Sequence, residues 1–175
     1  MTVVYPEGVP MEGNLKVAFV PAFLDPATPT MAEATAITGV DLSCFIKEGA
    51  FNLSGAQSTI EDRRLCSTVS YETPGRSTRS IDDVTYVYDP QAAPASADNA
   101  AYQKLPQGTA GYFIVRAGLP FDQDFAVDDI VDVWPVTMGL QQKQTPSGNA
   151  EGEKFTIIQK AFVRGAVQVD VAIVT

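Results

Sequence analysis

Apolar and polar positions alternate with a two-residue period through much of the chain, and that period predicts strands. LKVAFV (Leu15–Val20) reads as a strand with both faces mostly apolar, and GYFIVRA (residues 111–117), DIVDVWPVTMGLQ (129–141), KFTIIQKAFVRG (154–165) and AVQVDVAIV (166–174) read as further strands. The last is the most regular, with Val167, Val169, Val171 and Ile173 pointing one way and Gln168 and Asp170 the other. DLSCFI (41–46) predicts a further short strand with Leu42, Cys44 and Ile46 on one face. In SIDDVTYVYDP (80–90), Val84, Tyr86 and Tyr88 share a face but Ile81 falls out of step. A β-bulge at Asp82-Asp83 accounts for that slip.

Segment 154–165 has apolar residues on both faces: Phe155, Ile157, Ala161 and Val163 on one, Ile158 and Phe162 on the other. Both faces then need cover, and the second cover is expected from another subunit. One helix is predicted over residues 97–105. Ser96 caps it, Asp98 sits in its first turn, Ala101, Tyr102 and Leu105 form its apolar stripe, and Pro106 and Gly108 end it. Residues 25–36, with Pro26, Pro29 and three threonines, read as a loop. Residues 51–79 form a long polar loop or hairpin excursion with its tip near 73–77, where Pro74-Gly75 favours a turn. The resulting expectation is a mainly β fold, a sandwich or barrel with one flanking helix. An extended arm over residues 1–14 precedes a single domain over 15–175.

A chain of 175 residues, 45% apolar and 19% charged, is long enough to bury a substantial core. No apolar run approaches the ~20 residues of a membrane-spanning helix. The first residues lack the basic and apolar regions of a secretory signal, so the chain is expected to be cytosolic when made. The net charge of −9 argues against a nucleic-acid binder, which needs clustered cations. Histidine is absent, which removes the commonest general base and metal ligand. Cys44 and Cys66 have no CxxC partner. They are expected as reduced, buried apolar residues, with a disulfide between neighbouring strands as the alternative.

Three acidic pairs, Glu61-Asp62, Asp82-Asp83 and Asp128-Asp129, invite comparison with carboxylate catalysis. Adjacent strand residues face opposite ways, so no single pair spans a cleft. FDQDFAVDD (121–129) is rich in carboxylates but lacks the EF-hand order, and its charges read as solvated turn residues. No phosphate-binding glycine loop is present. Tyr86, Tyr88, Phe113, Trp134, Phe155 and Phe162 all fall in predicted strands and read as core or interface packing. Catalysis, metal binding and cofactors are therefore not expected.

The densest charge is Glu61-Asp62-Arg63-Arg64, which the residues alone leave open as a solvated loop or as a contact. DRRLCS (62–67), YETPGR (71–76), TYVYDPQ (85–91), VYPEGVPMEGNLKVAFVP (4–21) and DVWPVTMGLQQK (132–143) together resemble the major tail protein of long-tailed phages that infect actinobacteria. The resemblance implies a tail tube protein, a β-sandwich or barrel with one flanking helix, related in fold to the tube of the type VI secretion system. Such proteins form hexameric rings that stack into the conduit for genome ejection. Implied partners are further copies of the chain, the tape measure protein, the tail terminator and distal tail proteins, and DNA that passes without sticking. The implied location is the virion tail, assembled in the host cytoplasm. On that reading Glu61, Asp62, Arg63, Arg64, Ile158 and Phe162 are subunit contacts. A head-to-tail completion protein, a capsid decoration protein, an immunoglobulin-like adhesion module and a ligand-carrying barrel share the same gross character.

Overall fold

The computed structural model describes residues 3, 5, 7–36, 38–66, 68–93, 95–145 and 152–175. Met1, Thr2, Val4 and Pro6 of the expected arm lie outside them, as does Ser67 beside the charge block. The described arm residues before Asn14 are exposed and form neither strand nor helix.

The elements run in the order β1 (Leu15–Val20), α1 (Met31–Ala34), β2 (Val40–Asp41), β3 (Leu53–Asp62), β4 (Tyr71–Ile81) and β5 (Val84–Val87). They continue with α2 (Ala100–Lys104), β6 (Ala110–Ala117), β7 (Ile130–Gln144), β8 (Thr156–Val163) and β9 (Gln168–Ala172). Seven strands form one antiparallel sheet in the order β2-β1-β6-β7-β8-β5, with β9 added on β7. The sheet curls into a half-barrel. Residues 42–50 span its open side: Leu42 N–H donates to Val17 O on β1, and Lys47 N–H to Thr85 O on β5.

Alternation along the central strands feeds two cores. Val17, Phe19, Phe113, Val115, Trp134, Val136 and Met138 point to one face, where Tyr86, Ile157, Ala101 and Leu105 join them. Ala18, Val20, Ile114, Val131 and Val133 point to the other, under Phe23, Ala34, Phe125 and Ile173. Gly111 is required here by space. A Cβ at that position would lie 2.7 Å from the backbone oxygen of Val20 and closer still to the Phe19 ring. The chain thus covers both faces of β1, β6 and the first half of β7 itself. On β8 the second face is left open, with Phe162 56% exposed and Ile158 half-buried.

The helix over 97–105 is present, as a 3-10 turn (Ala97–Asn99) leading into α2, and the Ser96 hydroxyl accepts from Asp98 N–H. Ala101 and Leu105 are fully buried. Several local expectations need correction. Residues 25–36 contain α1, because Thr30 and Glu33 form a reciprocal capping box. Segment 41–46 is a strand only through Asp41. Phe45 N–H and Ile46 N–H both turn back to Leu42 O, which leaves Leu42 buried and Cys44 exposed.

The slip at Asp82-Asp83 is a strand break rather than a bulge: β4 pairs with β3, while β5 pairs with β8. In β9, Asp170 adopts a positive φ of 55° beside a register shift against β7. Val167 therefore packs with the first core and Val171 with the second, so the alternation does not serve one face. Residues 51–79 are chiefly strand, and the tip lies between Asp62 and Tyr71, not at 73–77, where β4 is paired.

Candidate assembly surface

The β3–β4 hairpin forms its own two-stranded sheet. Ser, Thr and Gln side chains dominate its first half and bond across the strands. Ser54 and Ser80 hydroxyls meet at 2.8 Å, and Ser58 Oγ donates to Arg76 O. Only Ile81, at the base, is buried. A two-stranded ribbon without an apolar face is marginal in water, and each unpaired edge can template further pairing. Pro74 removes one donor from the β4 edge.

The charge block lies at the far end of this hairpin. Arg63 pairs with Glu61, and Arg64 Nη2 lies 2.8 Å from Asp62 Oδ2, with both arginine side chains more than 70% exposed. Glu61 faces Glu72 directly across the strands, a like-charge pair that Arg63 offsets. Ile60, Leu65, Val69 and Tyr71 are also mostly exposed there. Four arginines and three carboxylates give residues 53–81 a net charge of +1, which leaves −10 for the rest of the chain. Phe162 and Ile158 lie well away from this block, on the open face of β8, with Leu140 of β7 57% exposed nearby. The structure therefore separates the six sequence-proposed contact residues into two surfaces.

Two polar clusters escaped the sequence reading. Arg116, 1% exposed, donates from Nη1 to Asp129 Oδ2 (2.7 Å) and Asp124 O, and from Nη2 to Pro120 O and Gln123 O. Lys16 Nζ donates to Phe121 O and Gln123 O and lies 3.1 Å from Asp41 Oδ2. Burial would raise the Asp41 carboxyl, but the Ser43 hydroxyl, Ser43 N–H and Lys16 together hold it below its ordinary value. The carbonyl-rich 121–129 loop is thus organised by the chain's own cations, and Asp129 is a largely enclosed ion-pair partner of Arg116 instead of a solvated charge. The second cluster joins Tyr86 Oη to Gln159 Oε1 (3.0 Å), while Gln141 Nε2 donates to Tyr86 Oη and Tyr102 O. Gln159 Nε2 reaches Leu105 O and Gly139 O, so α2's last carbonyls find donors in the sheet. Burial pushes the Tyr86 phenol up to about 12.

The acidic pairs assemble no shared site. Asp83 lies 3.7 Å from Lys160, and Asp129 faces Arg116. Among the described residues no three Cys, Asp or Glu side chains are grouped to hold a metal ion. Cys44 and Cys66 are exposed free thiols, which corrects the expectation of burial and excludes the disulfide alternative within the subunit. Cys44 lies in a turn rather than in the expected strand, and Cys66 lies in a turn at the hairpin end.

A β body with two filled cores, carrying a bare hairpin and an open apolar strip, has the features of a structural subunit. Over residues 2–175 the sequence matches the family model described as phage tail tube protein, and the chain belongs to that family. No curated protein matches it. Its role is accordingly structural, in the tail tube of a phage particle.

Proposed function

We propose that copies of this chain form hexameric rings that stack into a tube, the conduit through which the genome of a long-tailed phage of actinobacteria leaves the capsid. The observation that carries this reading is the β3–β4 hairpin, whose strands bury only Ile81 within the subunit. Such a ribbon gains its cover from neighbours. The open face of β8, with Phe162 and Ile158, supplies a second contact, and Glu61, Asp62, Arg63 and Arg64 fix register at the hairpin end. Six copies at −9 give −54 per ring, and an acidic bore repels DNA phosphate. The tape measure protein would occupy the bore during assembly in the host cytoplasm, with terminator and distal tail proteins at the ends. The chain works without catalysis or cofactor. Electron microscopy of the purified protein tests this: rings with six-fold symmetry and tubes are expected, and a protein that stays monomeric at high concentration contradicts it.

A further inference from the structure

The hairpin end and one groove on the body are matched in character and lie at opposite ends of the molecule. The groove, about 590 Å³, is lined by Cys44, Phe45, Val87, Tyr88 and Phe155. Its charged lining is Asp89 and Asp98 against Lys154. The hairpin end offers Leu65, wholly exposed, with Ile60 and Tyr71 also largely in solvent, and Arg63 and Arg64 beside them.

Strand β8 gives the direction. Val87 faces Thr156 and Val84 faces Gln159. Further along, Lys160 Nζ donates to Ile81 O, and Ser77, Thr78 and Arg79 share a depression with Val163 and Gly165. The hairpin therefore leaves from the Val163 end of β8, whereas Val87, Tyr88 and Phe155 place the groove at the Thr156 end. With β3 ten residues long, the hairpin extends about 33 Å at ~3.3 Å per residue, away from its own groove.

We propose that the hairpin end of one copy seats in the Cys44 groove of the next copy along the tube, with Leu65 against Tyr88 and Phe155. This rests on the stacked-ring reading above. Two different patches of one chain meeting in this way make a heterologous contact, which repeats without closing when copies are displaced along an axis. Both sides carry mixed charge, Glu61, Asp62 and Glu72 with Arg63 and Arg64 at the hairpin end and Asp89 and Asp98 with Lys154 in the groove, so opposite charges can pair across the seat and fix its register. Arg63 and Arg64 arrive at Asp89 and Asp98.

The chain's two cysteines report on the seat directly. Cys66 lies at the hairpin end and Cys44 in the groove, both exposed and free. A disulfide between them requires Cα atoms about 4.4–6.8 Å apart. Tubes are treated with diamide, which takes two electrons and two protons from each thiol pair, and are run on a non-reducing gel. The expected result is a ladder of covalent oligomers beyond the dimer, with a Cys44–Cys66 peptide on mapping. The ladder is lost in Cys44→Ser and in Cys66→Ser. Leu65→Asp should shorten tubes at least several-fold without moving the subunit Tm. Tubes that yield only monomer, or only dimers of like cysteines, overturn the seat and leave the stacking reading standing. If the chain makes no tubes, both fall together.

Discussion

Strands β6 and β4 belong to one chain and are both antiparallel, yet β6 buries five of its eight residues and β4 one of its eleven. The difference shows that two separate physical causes make strands here. The body is strand because alternating Val, Ile, Phe and Trp fill two cores, each removing apolar surface at about 25 cal/mol per Å². The hairpin is strand because Ser, Thr and Gln bond across a ribbon whose contacts within the subunit add little. Body substitutions should therefore cost folding, and hairpin substitutions should cost assembly.

The largest effect is expected at Arg116. Arg116→Met leaves the largely buried Asp129 side chain without its cation and takes the donor from Pro120 O and Asp124 O, while Gln123 O keeps Lys16. Breaking one side of a buried pair costs about 3–5 kcal/mol, so chemical denaturation should show a collapse of subunit stability. An unchanged midpoint would mean that water replaces the guanidinium at no cost. Next comes Tyr86→Phe, expected to cost about 1–3 kcal/mol through the donor lost to Gln159. Its pH dependence has a definite sign. The folded phenol titrates near 12, above its ordinary value of 10, so its contribution is complete below pH 10 and fades between 10 and 12. That window is worth on the order of 2 kcal/mol, and the alkaline loss of stability should be smaller in Tyr86→Phe. The smallest effect on the fold is expected for Arg63→Glu with Arg64→Glu, a change within about 0.5 kcal/mol for exposed charges. The same double substitution should block tube growth, with partial recovery at high salt. Normal tubes would reduce the four charges to a solvated turn.

Much of this division was written in the residues. β1 is bounded as its pattern predicts, and Ser96, Ala101 and Leu105 take their expected places in the helix. A signal for α1 is present in the residues, since Thr30 and Glu33 have capping-box spacing, but Pro26 and Pro29 and the four-residue length of the helix leave no apolar stripe to mark it. Hairpin strands were harder to see, because strand periodicity is read from apolar residues and residues 53–81 contain few. The Arg116 cluster was invisible for another reason. Its acceptors are mainly backbone carbonyls of residues 120–124, which no side-chain pattern encodes. Of the contact residues, the exposure of Phe162 follows from its being out of phase with Ile157 and Ala161. No sequence signal reveals that Arg63 and Arg64 fold back onto Glu61 and Asp62.

The central claim is that the hairpin completes its structure only between subunits. Hydrogen exchange measured on isolated subunits and on assembled tubes tests it most directly, with β6 as the internal reference. Amides of β6 should be protected in both states. Those of β3 and β4 should exchange rapidly in the subunit and slow by at least an order of magnitude in the tube. Equal protection of the hairpin in the two states would contradict the account.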